Sequence, residues 1–380
     1  MKEIPRIMKE QRERDQLSPF AMPSSKSRGR LQPESDCQVR TSFERDQGRI
    51  LYSVDFRRLR QKTQVFFDPQ NDHICTRMEH VLYVNYIAST IGRALNLNVD
   101  LIEAIALGHD IGHTPFGHTG ERELQSCLKK YQAGFTFQHE LHSLRVVDVL
   151  SRRNEDRCGL NLTFEVRDGI VSHCGERYNE FALTPKWDKT EAELIPGAEV
   201  HEPPATLEGC VVRMADKIAY VGRDIEDGAR AGLMSFDQLP IALKTELGQT
   251  NGEIINSLVF DIVEHSYGKG EIRLSKAKGQ AMEELLNNNM LYIYRSDRIQ
   301  RYDFTVRNII QGLFEVFIEL ASHKRKLRSE AKQNIAVKKF ADYLDKHPEP
   351  EASVYRKVVD YVAGMTDHYA QKSFKQIFQI

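Results

Sequence analysis

The run Gly108-His109-Asp110-Ile111-Gly112-His113-Thr114-Pro115-Phe116-Gly117-His118-Thr119-Gly120-Glu121 gathers three histidines and two carboxylates directly behind the apolar stretch Leu101–Leu107. A fold that buries the apolar stretch must bring this polar segment to its edge and give each group a partner, because unpaired polar groups are costly to desolvate. An adjacent His-Asp pair offers one imidazole nitrogen and one anionic oxygen, a mixed donor set that suits Zn, Mn, Fe or Mg better than thiolate-seeking ions. Two ligands are too few for such a cation, so others must come from distant positions. His80 lies on the stripe His80, Val84, Ile87 and Ile91, which recurs at helical spacing, and Asp216 sits inside the largely apolar Val211–Tyr220. Together they give the candidate set His80, His109, Asp110 and Asp216.

Composition limits the function classes. The 380 residues carry 53 Lys+Arg against 54 Asp+Glu, a formal net charge of -1, so no global basic field draws the chain to nucleic acid. The clusters Arg57-Arg58-Leu59-Arg60 and Lys324-Arg325-Lys326 read as solvated charge, each able to line an anion or single-strand groove. No apolar stretch reaches the ~18–20 residues that span a bilayer, and the N-terminus shows no apolar signal core; the expected address is the cytoplasm. Six cysteines are scattered without a C-x-x-C pair, against both a zinc ribbon and a disulfide framework. The segment Gly268-Lys269-Gly270 lacks the spacing and the Ser/Thr of a phosphate-binding P-loop.

The chain organises into three expected parts: a charged arm over 1–38 without sustained periodicity, a core over 39–235, and a helical region over 236–380 packed on the core. From Phe56 to Leu150 the pattern is helical, with Asp100 and Glu103 placed like a cap and its N3 partner, and Gly108 marks the break behind that helix. Residues 175–204 carry Pro185, Pro196, Pro203 and Pro204 and predict a long irregular insertion. Helical patterns return after Asp216, so the fold class is all-α, with no alternating βαβ pattern.

The H…HD…D order is that of the HD-domain metallohydrolases, and the flanking blocks resemble the deoxynucleoside triphosphate triphosphohydrolases, the dGTPase-like family. The resemblance is carried by Arg40–Asp46, Phe56–Phe66, Thr76-Arg77-Met78-Glu79-His80, the His-rich run, Phe137-Gln138-His139-Glu140, Asn161-Leu162-Thr163, Thr206-Leu207-Glu208 and Ala215–Tyr220. It implies an HD-domain helical bundle with additional C-terminal helices. It also implies a divalent ion, with Mn, Mg, Fe, Co and Ni all compatible with the N/O donors.

His118 and Glu121 lie three residues apart, close enough on one helical turn for the carboxylate to orient the imidazole, and a protonated His118 would donate to a leaving oxygen. By resemblance these two form a catalytic pair, His139 lies near the phosphates, His113 is a further phosphate contact, and Arg77 and Lys217 bind the triphosphate. Tyr220 and Asp224 follow Asp216 at one-turn intervals and are expected on the same helix face. The resemblance places Tyr220 against the deoxyribose, with Gln64 and Asp224 near the 3′-hydroxyl. His142 and His173 read as structural.

The implied reaction is attack of metal-bound hydroxide on the α-phosphorus of a dNTP, releasing deoxynucleoside and tripolyphosphate. The family further implies a homo-oligomer, tetramer or hexamer, and leaves room for a dNTP activator at a second site and for single-stranded nucleic acid. Two alternatives are an HD phosphohydrolase of nucleoside monophosphates or cyclic nucleotides, and an assembly that only binds nucleotide or single strands.

Overall fold

Helix follows helix along nearly the whole chain because apolar residues recur at helical spacing; the computed structural model describes residues 4–64, 75–154, 157–174, 179–194 and 202–378. Among these, strands are limited to two short antiparallel pairs, Arg152–Asn154 with Arg157–Cys158 and Ala182–Leu183 with Ile272–Arg273. No helix of the described residues is long and apolar enough to cross a membrane. The end of the motif block at Val65-Phe66 lies outside the described residues, as do positions 175–178 and 195–201 of the expected insertion. The rest of that insertion holds Ala182–Leu183 and the short turn Glu191–Leu194.

The chain divides into two compact units, each assembled from three separated segments. The first takes residues up to Arg57, Met78–Ile111 and Ser143–Ser296. Its central helix, Val99–Gly108, is buried from Leu101 onward except at Glu103, and packs on Ser42–Leu51, Phe164–Val171 and Leu207–Val221. Close approach is allowed by glycine: a Cβ on Gly169 would stand 2.4 Å from Ile105 Cδ1, and one on Gly108 would stand 2.6 Å from Ile170 Cδ1. The cap of the central helix is Asn98, whose side chain accepts from Leu101 N, and not Asp100; that correction moves the helix start upstream and leaves Glu103 to accept from Gln47 Nε2 at 2.5 Å.

A second correction concerns the N-terminal segment, which contains the helix Pro5–Gln16. No residue of this helix is fully buried, so no apolar stripe announces it. It is fastened by polar contacts instead, with Glu13 accepting from Ser24 N at 2.7 Å and Ser24 Oγ at 2.6 Å, and from Asn98 Nδ2 at 3.3 Å.

The second unit comprises Arg58–Arg77, Gly112–His142 and Asp297–Ile380. The long helix Asp297–Ser322 packs on Gly117–Lys130, Val354–Ala363 and Asp367–Phe378. Their apolar faces close over Leu124, Phe137, Phe314, Phe317, Phe340 and Val362, and the Phe317 and Phe340 rings lie 4.5 Å apart.

Candidate functional site

The first unit brings His80, His109, Asp110 and Asp216 together from three parts of the sequence. His80 stands in the first turns of the helix Arg77–Ala94, on the buried stripe with Val84, Ile87 and Ile91. His109 and Asp110 follow the C-terminus of the central helix, and Asp216 belongs to the helix Leu207–Val221. His80 Nε2 is 2.9 Å from Asp216 Oδ1, and His109 Nε2 is 3.6 Å from Asp110 Oδ1 and 3.9 Å from Asp216 Oδ1. Desolvation raises the Asp216 carboxyl, but the hydrogen bond and proximity of His80, with His109 and His173 beyond it, bring it down to about 2.

These residues fit a divalent cation. His109 Nδ1 donates to the Ala106 carbonyl at 2.7 Å, which leaves Nε2 as the lone-pair nitrogen, and that fully buried atom has no hydrogen-bond partner among the described residues. A buried acceptor facing two carboxylates calls for a positive centre. Bonds of roughly 2.0–2.2 Å to N and O donors place neighbouring ligand atoms about 3 Å apart and opposite ones about 4.3 Å apart. The separations of 2.9, 3.6 and 3.9 Å fall inside that window.

The second unit holds a different cluster. The turn before the helix Gly117–Lys130 places two successive residues in the left-handed region, Phe116 at φ 63 and Gly117 at φ 58. At Gly117 a Cβ would meet Arg77 Nη2 and the Gln64 carbonyl, each at 3.2 Å, so these two groups can approach this turn only over a glycine. Arg77 is 1% exposed. Gln64 Oε1 is buried without a hydrogen-bond partner among the described residues.

Glu121 ties the imidazoles of this unit together. Its carboxylate accepts from His139 N at 2.9 Å, lies 3.0 Å from His139 Nδ1 and stands 3.6 Å from His118 Nδ1. His113 stacks on His139 with ring centres 3.8 Å apart, and His118 is half-exposed. Burial pushes the Glu121 carboxyl up, yet the His139 charge and the contacts with His118 and His139 leave it well below the ordinary carboxylate range. The spacing rule paired Glu121 with His118; the structure adds a shorter contact with His139.

The remaining expected residues lie in the first unit. Lys217 is buried, with Nζ 3.2 Å from Glu180 Oε2, while Arg213 makes two contacts of 3.0 and 2.8 Å with the same carboxylate. Binding a triphosphate at Lys217 therefore requires Glu180 to give way or to share its cation. Tyr220 is half-buried on the Asp216 helix. Asp224 is not on that helix, a correction to the shared face: the helix ends at Val221, and Asp224 stands in the first turn of the next one, Arg223–Arg230. Gly222 stands at the junction because Asn251 Oδ1 occupies the space 2.3 Å from where its Cβ would lie. Burial raises the Asp224 carboxyl to about 7, against the hydrogen bond that Tyr294 donates at 2.7 Å.

Sequence reasoning missed several supporting groups. Lys62 is buried and donates to the His113 carbonyl and, at 2.9 Å, to that of Ala363. Asp367 accepts from Phe116 N at 2.8 Å and Thr63 N at 2.9 Å. Thr63 and Phe116 lie so far upstream of Asp367 that no local pattern links them. His173 read as structural, yet its ring meets that of His109 edge-on with centres 4.9 Å apart.

A helical core bearing this His and Asp set defines an HD-domain protein, and the HD domain family model matches residues 77–221. A phosphohydrolase-associated domain matches 272–376. The chain is 41% identical over 97% of its length to a deoxyguanosinetriphosphate triphosphohydrolase-like protein of Desulfatibacillum aliphaticivorans, covering 96% of that protein. A protein of the same description from Caldanaerobacter subterraneus subsp. tengcongensis is 39% identical, with 95% of this chain and 92% of the relative covered. A third, from Thiobacillus denitrificans, is 33% identical, with 96% and 98% covered. The chain belongs to the deoxyguanosinetriphosphate triphosphohydrolase-like family, and its site is that of an HD-family hydrolase with a His/Asp cluster able to hold a divalent metal.

Proposed function

We propose that the protein hydrolyses deoxynucleoside triphosphates to deoxynucleoside and tripolyphosphate. The observation that carries this reading is that Gly108–Glu121 holds two His–carboxylate contacts, His109 Nε2 with Asp110 Oδ1 and His118 Nδ1 with Glu121 Oε2, each at 3.6 Å, which we read as a cation-ligand pair and an acid–base pair. Near full-length similarity to triphosphohydrolase-like proteins supports the substrate class.

A divalent cation held by His80, His109, Asp110 and Asp216 would neutralise α-phosphate oxygens and lower the pKa of a bound water. In this reading water adds to the α-phosphorus and releases a proton to solvent as the bond to the 5′ oxygen breaks. His118 delivers the proton that the leaving 5′ oxygen needs, and Glu121, whose carboxyl the neighbouring imidazoles hold well below the ordinary range, keeps the His118 and His139 rings oriented. His113, His139, Arg77 and Lys217 contact the phosphates. The guanidinium of Arg77 offers a fixed charge in fork geometry. Tyr220 packs on the deoxyribose face, and Gln64 and Asp224 take the 3′-hydroxyl.

The test is to incubate the protein with each dNTP and Mn²⁺ or Mg²⁺ and to separate the products by chromatography. Deoxynucleoside and intact tripolyphosphate in equal amounts are expected. Nucleoside monophosphate with diphosphate would overturn the reading, because the attacked bond would then lie on the other side of the α-phosphorus.

A further inference from the structure

We propose that His173 is a further nitrogen ligand of the same cation, so that the centre carries three imidazoles, His80, His109 and His173, with the carboxylates of Asp110 and Asp216. The proposal rests on the cation reading above and extends it to a side chain that the H…HD…D order leaves out.

The geometry treats His173 and His109 alike. Each follows the end of a buried helix, His109 after Val99–Gly108 and His173 after Phe164–Val171. Each turns Nδ1 back onto the carbonyl three residues earlier, His109 onto Ala106 at 2.7 Å and His173 onto Ile170 at 2.6 Å. The last carbonyls of a helix lack partners within it, so both contacts satisfy a need of the backbone. A carbonyl only accepts, which places the proton on Nδ1 and makes Nε2 the lone-pair nitrogen in both rings. A carbonyl that holds Nδ1–H in this way fixes the tautomer and ring orientation of a ligating histidine.

The donor atoms also converge. One nitrogen each from His109 and His173 and one carboxylate oxygen of Asp216 all lie within 4.8 Å of one another, and His173 is 1% exposed. Near His173 Nε2 stands the Cys174 thiol, at 3.5 Å. A third buried imidazole within reach of the Asp216 carboxylate raises the nitrogen content of the site, and imidazole favours Fe, Co, Ni and Zn over Mg. His173 would therefore set which ion the protein retains.

The test uses the full-length protein stripped with chelator and reloaded with Co²⁺. Proton NMR in water counts the hyperfine-shifted imidazole N–H signals that vanish in deuterium oxide. Three such signals are expected in the native protein and two in His173→Gln, with Co²⁺ affinity falling about 10- to 100-fold in the variant while Mg²⁺ affinity stays close to native. Two signals in the native protein would overturn the role of His173 while leaving the cation reading intact. Absence of any Co²⁺ binding would instead overturn the cation reading itself. The count in the native protein decides the matter even where the variant folds poorly.

Discussion

Asp367 shows how a single residue can govern a reactive one that it does not touch. Phe116 holds a left-handed conformation that costs a non-glycine residue about 1–2 kcal/mol, and its N–H is satisfied by Asp367 at 2.8 Å. Leaving that buried N–H without an acceptor costs a further 1–3 kcal/mol, roughly, and would free the turn that sets the direction of His118. Asp367→Ala is therefore expected to lower kcat by about tenfold or more, whereas Asp367→Asn, whose amide oxygen still accepts from Phe116, recovers most of it; equal losses in the two would end the argument. Glu121 acts at closer range. Glu121→Gln keeps an acceptor for His139 N but loses the charge between His139 Nδ1 and His118, so kcat should fall by about 10²-fold with Mn²⁺ affinity unchanged. Steady-state kinetics beside a metal titration checks this, and a near-native kcat would remove Glu121 from the chemistry. The pair His118–Glu121 was legible in the sequence because both lie within one helical turn. Asp367, Tyr294 and Glu180 were not, because their partners are chosen by tertiary packing across long stretches of chain.

Helices convey the same lesson with a different signal. The stripe His80, Val84, Ile87 and Ile91 and the run Leu101–Leu107 could be placed from periodicity, since burial of one face is what periodicity records. Pro5–Gln16 could not, because polar contacts rather than apolar burial fasten it. The cap at Asn98 was displaced in the sequence reading because Asp100 and Glu103 have the right types at the right spacing, and only backbone geometry distinguishes them. On the helix Leu207–Val221, Glu208 is fully buried; Oε1 accepts from Met22 N and Asn98 N, both at 3.0 Å, and Oε2 has no hydrogen-bond partner among the described residues. Burial raises this carboxyl from an ordinary 4.5 to about 7. A group whose folded pKa lies above its unfolded value binds more protons when folded, so its contribution is complete below about 4.5 and is lost as pH rises toward about 7. The shift corresponds to about 3 kcal/mol. Urea unfolding on either side of that window should show the native protein losing stability as pH rises, with a visibly flatter response in Glu208→Gln. Identical slopes would mean that Glu208 ionises normally.

At the scale of the whole chain, the candidate cation site gathers ligands from segments that the sequence keeps far apart, at His80, His109–Asp110 and Asp216, all within the first unit. A ligand that binds only the folded state stabilises it by RT ln(1 + [L]/Kd), about 2.7 kcal/mol at a hundredfold excess over Kd. That stabilisation must appear where the ligands are anchored. Their anchors are the helices Arg77–Ala94, Val99–Gly108 and Leu207–Val221, whereas the long helix Asp297–Ser322 belongs to the second unit and its core of Phe314, Phe317 and Phe340. Adding Mn²⁺ to chelator-stripped protein is therefore expected to slow amide hydrogen exchange in the first three helices and to leave Asp297–Ser322 nearly unchanged. His109→Ala and Asp216→Ala should each abolish the Mn²⁺-dependent protection. Protection gained only in Asp297–Ser322, or retained in both variants, would place the cation elsewhere in the molecule, because no change in affinity at this cluster could produce that pattern.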